Sequence, residues 1–368
     1  MQPAMRLSDP LSFLYNVPFM LGYVIHNWER KLSRRDNNRV VRPFDWGTDL
    51  LEPRHFVPTS NGNHRHPRDV IFEFNENAVS QSDSFFELDK QPDFSLKDGW
   101  LTFQSVVRTP FPENNTVYAR YFPVGLPGKE VAKARGRAVV VLPHWNAKPQ
   151  EHLAMCELLN RSGIAALRLS MPYHDRRMRP GFERADYMVS ANLGLTLQAN
   201  RQAVLDTRAA VHWLASQGYD RIGLIGTSLG SCVGFLAFAH EKQIKVAVYN
   251  HVSSYFGDVV WGGLTTAHVR QSLETALTGE DTRRAFLAIS PNPHVSKLKG
   301  DRRRALMVSA RYDLSFTPEL SRLLFEECDR HGLNFDRAIL PCGHYTLGRA
   351  PYRYYVGYLL GNYLRKHL

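Results

Sequence analysis

The chain has 368 residues, of which 43% are apolar and 22% charged, a composition that excludes disordered and collagen-like polymers. Its formal net charge is +11, carried by 35 Arg and 11 Lys. Such a surface can attract nucleic acid, anionic membranes or acidic substrates, but the cations are scattered apart from short clusters (Arg34-Arg35, Arg176-Arg177, Arg302-Arg303-Arg304) and no nucleic-acid-binding motif accompanies them, so no nucleic-acid partner is expected.

The four cysteines, at 156, 232, 328 and 342, show neither metal nor disulfide-framework spacing, which suits a reducing compartment, and a cytoplasmic location is expected. The length fits a single α/β domain with an extension, and residues 1–97 read as that N-terminal extension. Its apolar run, Leu11–Ile25, is too short to span a bilayer, contains Asn and Pro, and is followed by Trp28-Glu29-Arg30-Lys31 rather than a small-residue cleavage site. The plainer expectation is a helix packed on the main body or on a partner subunit. The functional alternative is a weak membrane-surface contact. Residues 61–69 read as loop, and His64 and His66 lack the partner cluster a metal would need.

From residue 98 the pattern becomes regular. Trp100–Val107 alternates like a strand, Asn114-Asn115 turns the chain, and Val117–Phe122 returns, which predicts a hairpin. Apolar β-type runs follow at 138–142, 164–169, 221–225, 246–249, 305–309 and 336–340, with helices predicted near 149–161, 200–217, 229–241, 317–331 and 351–367. Apolar strands alternating with helices predict an α/β fold: a mostly parallel sheet covered by helices on both faces. Two stretches, about 171–199 and 253–293, read as small cap insertions in this 98–368 domain.

The most informative stretch is Arg221-Ile-Gly-Leu-Ile-Gly226-Thr227-Ser228-Leu229-Gly230. A strand running into Gly-x-Ser-x-Gly and then a helix lifts a serine onto a sharp turn, where Gly226 and Gly230 relieve crowding and the helix start offers N–H groups to a developing anion. A serine hydroxyl needs an oriented base. Asp313 lies in the turn after the strand 305–309, and His344 on a Gly-bearing loop after the last strand. The order Ser228, Asp313, His344 predicts a nucleophile, an orienting acid and a general base. Asp258 is the reserve acid. For an oxyanion hole the Leu229 N–H is one donor; the second is expected from the loop Pro143-His144-Trp145-Asn146, as the Asn146 N–H with Trp145 the alternative.

On the residues Gly226-Thr227-Ser228-Leu229-Gly230, Tyr312-Asp313 and Gly343-His344, the chain from about 98 to 368 resembles the α/β-hydrolase superfamily. Less specifically, Met171-Pro172-Tyr173-His174 and the long helix before the elbow strand resemble a eukaryotic and bacterial branch of α/β-hydrolase-domain proteins. The resemblance implies a serine hydrolase that carries Ser228, Asp313 and His344 as its catalytic set. It departs at His144-Trp145, where many esterases have His-Gly, and the bulky Trp is expected to narrow the acyl site. Four Arg within the nine residues Arg176–Arg184 lie on a loop at the carboxyl ends of the strands, so Arg176 and Arg177, with His144, are the substrate-binding candidates for an anionic group. The alternative is packing against Asp175, Glu183 and Asp186. Together these readings predict an ester- or acyl-cleaving serine hydrolase that uses no cofactor or metal and acts on a small-molecule ester. Acyl transfer, peptide cleavage and a catalytically dead binding protein are the competitors.

Overall fold

Short runs of Val, Ile, Leu and Ala bounded by turns suit strands buried on both faces, and such strands form the centre of the molecule. A computed structural model describes residues 19–59, 65–124 and 136–368. Within these, nine strands form one sheet in the order β1-β2-β3-β5-β4-β6-β7-β8-β9. They are β1 (Ser95–Lys97), β2 (Trp100–Gln104), β3 (Thr116–Phe122), β4 (Arg137–Leu142), β5 (Ala165–Leu169), β6 (Arg221–Thr227), β7 (Ile244–Asn250), β8 (Arg304–Ala310) and β9 (Phe335–Leu340). The predicted hairpin is β2–β3, and β1 extends it; β3 joins β5 antiparallel, and every later pairing is parallel.

The helices are α1 (Phe19–Ser33), α2 (Pro67–Ser80), α3 (Ser82–Phe85), α4 (Leu153–Arg161), α5 (Leu193–Ser216), α6 (Leu229–His240), α7 (Phe256–Gly262), α8 (Ala267–Leu273), α9 (Gly279–Ala285), α10 (Pro318–Arg330) and α11 (Tyr352–His367). Side chains alternate across β4. Ala138, Val140 and Leu142 enter the core under α5, α6 and α10, while Val139 and Val141 enter the one under α4 and α11. This two-sided cover is what makes the middles of β4, β6, β7 and β8 apolar. The 253–293 stretch forms the short helices α7–α9, whereas 171–192 is mostly irregular and leads into α5. Among the described residues no helix is long and apolar enough to cross a membrane.

The segment before residue 98 is not an appendage. Phe56, Phe74, Phe85 and Phe86 are buried in the larger core and meet edge to face. Burying each contributes roughly 2–3 kcal/mol. The end of the stretch read as loop is helix: His66 caps α2 by accepting the Arg68 N–H on Nδ1, and Pro67 takes the first position. His64 lies outside the described residues. Asn75 of α2 bonds the Ala285 carbonyl and the Ala288 N–H, tying the segment to the cap. Of the apolar run 11–25, residues 11–18 lie outside the described residues; the remainder is the first half of α1, which packs on the main body, with Gly22 seated against the Tyr312 ring.

Candidate active site

The turn between β6 and α6 places Ser228 at φ 54° and ψ −119°, a conformation that costs a non-glycine residue about 1–3 kcal/mol. The flanking glycines make it attainable. A Cβ on Gly226 would collide with the Gly230 carbonyl, and one on Gly230 with the carbonyls of Leu142 and Pro143. The Ser228 N–H donates to the Asn250 carbonyl at 2.8 Å, and Ser231 Oγ donates to the Gly226 and Asn250 carbonyls, pinning the elbow to β7.

Ser228 Oγ lies 3.0 Å from His344 Nε2, and His344 Nδ1 lies 2.9 Å from Asp313 Oδ2. Pairing with a carboxylate assigns the imidazole proton to Nδ1 and leaves Nε2 to accept from the serine. The other carboxylate oxygen, Oδ1, accepts the N–H groups of Ser315 and Phe316 at 2.7 and 2.8 Å. Burial works against ionisation of Asp313, but the His344 charge and the two neighbouring imidazoles outweigh it and hold the carboxyl well below the usual range. Burial pulls His344 down, while the Asp313 charge and hydrogen bond, aided by the Glu29 charge, lift it above a free imidazole. Asp258, the reserve acid, is instead clamped by Arg283 at 2.7 Å on the surface of α7.

The sequence gives no motif for His251. It follows β7 directly, at φ 61°, with its ring centroid 4.3 Å from that of His344 and Nδ1 3.0 Å from Asp313 Oδ2. Burial, and then the His344 charge, push its pKa down, so it stands as a neutral neighbour of the acid. The three side chains bring potential ligand atoms within 4.8 Å of one another, but Asp313 and His344 already spend theirs on each other.

The remaining candidates divide. Leu229 opens α6, and among the described residues neither its N–H nor that of Trp145 has a partner. The Asn146 N–H, the first choice for the second oxyanion donor, is taken: it donates to His174 Nε2 at 2.8 Å. The Trp145 indole turns toward the 171–192 loop, donating to the Ala185 carbonyl at 2.9 Å and stacking on His268. His144 is half-exposed and bonded to His152 at 3.0 Å, with Glu151 3.4 Å away. The Arg pair does not form an anion site. Arg177 is 0% exposed, pairs with Asp206 of α5 at 2.9 Å and donates to the Asn114 and Ser170 carbonyls. Arg176 is exposed and lies over the Trp100 ring at 4.4 Å, on the antiparallel edge of the sheet. Arg177 is corrected to a structural residue, because its buried guanidinium is enclosed by a carboxylate and two carbonyls; Arg176 is corrected because its guanidinium rests on the rings of Trp100 and Tyr118 at the sheet edge.

No protein-family model and no curated protein matches the sequence. Solved structures do match. Acylaminoacyl peptidase of Pyrococcus horikoshii superposes with a TM-score of 0.55 at 12% identity, over 76% of this chain and 42% of that one. Dipeptidyl peptidase 4 of Porphyromonas gingivalis gives 0.53 at 14%, over 76% and 36%. An esterase of Pyrococcus furiosus gives 0.50 at 14%, over 84% and 98%. This chain has the α/β-hydrolase fold. It spans less than half the length of the two peptidases but nearly all of the esterase. Its mixed, mostly parallel nine-stranded sheet with helices on both faces agrees with the α/β architecture expected from the sequence.

Proposed function

We propose that the protein is a serine hydrolase that cleaves an ester or related acyl bond through an acyl-Ser228 intermediate. The observation that carries this reading is the continuous chain from a strained Ser228 through His344 to Asp313, at 3.0 and 2.9 Å. His344 Nε2 takes the proton as Ser228 Oγ attacks the substrate carbonyl, and Asp313 stabilises the imidazolium. The carbonyl oxygen becomes an oxyanion facing the N–H groups of Leu229 and Trp145. Collapse expels the alcohol, which receives the proton from His344, and leaves the acyl group on Oγ. A water then gives its proton to His344 and attacks the ester; release of the acid returns that proton to Ser228. Acyl transfer replaces this water with an alcohol, and an amide substrate replaces the first leaving group with an amine.

The fold neighbours include an esterase and peptidases, so the assay compares the two bonds in one acyl series. Wild-type protein is expected to turn over a short p-nitrophenyl ester faster than the matching p-nitroanilide, with Ser228→Ala inactive on both. Faster anilide cleavage makes it a peptidase. Wild-type turnover by Ser228→Ala removes the reading.

A further inference from the structure

The loop that carries His344 is held from the far end of the chain. Glu29, on α1, is 0% exposed and lies directly beneath it. Its Oε2 accepts the Tyr345 N–H at 3.0 Å and its Oε1 the Thr346 N–H at 2.7 Å, so both carboxylate oxygens grip consecutive amides adjoining the imidazole residue. Gly343 completes the fit: a Cβ there would collide with the Glu29 carboxylate. The Gly343 N–H is satisfied inside the loop by Thr346 Oγ1 at 2.7 Å. The end of α1 and the turn after it hold the same loop a second time, because Arg39 bonds the Tyr345 hydroxyl at 2.8 Å and Ser33 at 2.9 Å. Farther up the helix, His26 meets Tyr312, the residue before Asp313, edge to face. α1 therefore braces both the acid turn and the base loop.

We propose that Glu29 is a positioning residue for His344, fixing the loop so that the imidazole stays between Ser228 and Asp313, and that the N-terminal segment is thereby part of the catalytic apparatus. This rests on the serine-hydrolase reading above. A buried carboxylate bonded to two amides is a rigid anchor, whereas a glycine-bearing loop without one samples geometries in which Nε2 leaves the serine. Loss of 1 Å of alignment costs roughly 100-fold in rate. The anchor also carries charge. The titratable groups facing His344 are Asp313 from the β8 turn, His251 from the end of β7, Glu29 from α1, and Cys342 and Tyr345 on its own loop. Of these, Asp313 and then Glu29 favour the protonated imidazole.

The test compares wild type, Glu29→Gln, Gly343→Ala and Ser228→Ala, with kcat, KM and the pH profile of kcat/KM on a p-nitrophenyl ester and a melting curve for each. Glu29→Gln keeps the volume, removes the charge and turns an amide donor toward an N–H. It is expected to lower kcat roughly 10- to 100-fold, leave KM within about twofold, and move the acid limb to lower pH, because removing a negative charge lowers the pH at which His344 becomes neutral. Gly343→Ala approaches from the loop side by pushing the carboxylate off its amides while keeping its charge, so the same fall in kcat with little change in KM is expected, and the inference stays testable if Glu29→Gln fails to fold. Either folded variant with wild-type kcat, or a Glu29→Gln protein whose kcat falls while the acid limb stays in place, overturns the positioning role. Turnover surviving in Ser228→Ala overturns the hydrolase reading itself, and the two failures are distinguishable.

Discussion

Asp313 and Asp206 are both buried carboxylates paired with cationic or potentially cationic groups, yet they sit in different parts of the molecule and do different things. Asp206, on α5, is sealed with Arg177 and accepts from Ser105 Oγ at 2.7 Å. Burial pushes its carboxyl up and pulls the Arg177 guanidinium down, with their mutual attraction opposing both. Asp313 is also buried, but its partner is an imidazole whose far nitrogen reaches a serine hydroxyl at the mouth of a sharp turn. Burial of charge alone therefore does not mark a site. What separates the two is a chain of hydrogen bonds that ends on a serine hydroxyl rather than on backbone carbonyls.

Breaking each pair should have opposite consequences. Asp313→Asn is expected to lower kcat on a p-nitrophenyl ester by about 10⁴-fold with a small change in melting temperature, because the amide favours the wrong imidazole tautomer. A loss below tenfold removes Asp313 as the orienting acid. Arg177→Met leaves Asp206 without its counter-charge and is expected to destabilise the fold by roughly 3–5 kcal/mol in urea unfolding, while kcat of the remaining folded protein is unchanged; Arg177→Met with Asp206→Leu should recover much of this. A KM increase restricted to anionic esters would instead return Arg177 to substrate binding.

The comparison also has a pH signature. His344 is held above a free imidazole of about 6.5, and it must be neutral to accept the serine proton. The acid limb of kcat/KM is therefore expected on the alkaline side of that value, and a limb on the acid side contradicts the assigned environment. The smallest effect is expected from Arg176→Ala. Its guanidinium stacks on Trp100 at the surface, so stability should fall by about 1 kcal/mol or less and KM should not change.

The strands β4 and β6–β8 and the Ser228–Asp313–His344 order were readable because parallel strands covered on both faces need largely apolar runs, and because a serine elbow needs two glycines at fixed spacing. The α2 region was not, since a stretch rich in Gly, Asn, His and Pro masks the helix start at Pro67. Arg177 misled because four arginines on one loop look exposed, and its burial depends on an aspartate in α5. His251 has no spacing signal; only the fold stacks it on His344. Glu29 was equally silent, because the amides it holds lie 316 and 317 residues away in the sequence.

The central claim is that Ser228 Oγ attacks acyl substrates with His344 as its base. Treatment with a fluorophosphonate, followed by peptide mass mapping, tests it most directly. The account predicts one adduct on the peptide containing Ser228 in wild type, slower labelling in His344→Ala and none in Ser228→Ala. An adduct on another residue, or equal labelling of Ser228→Ala, contradicts it.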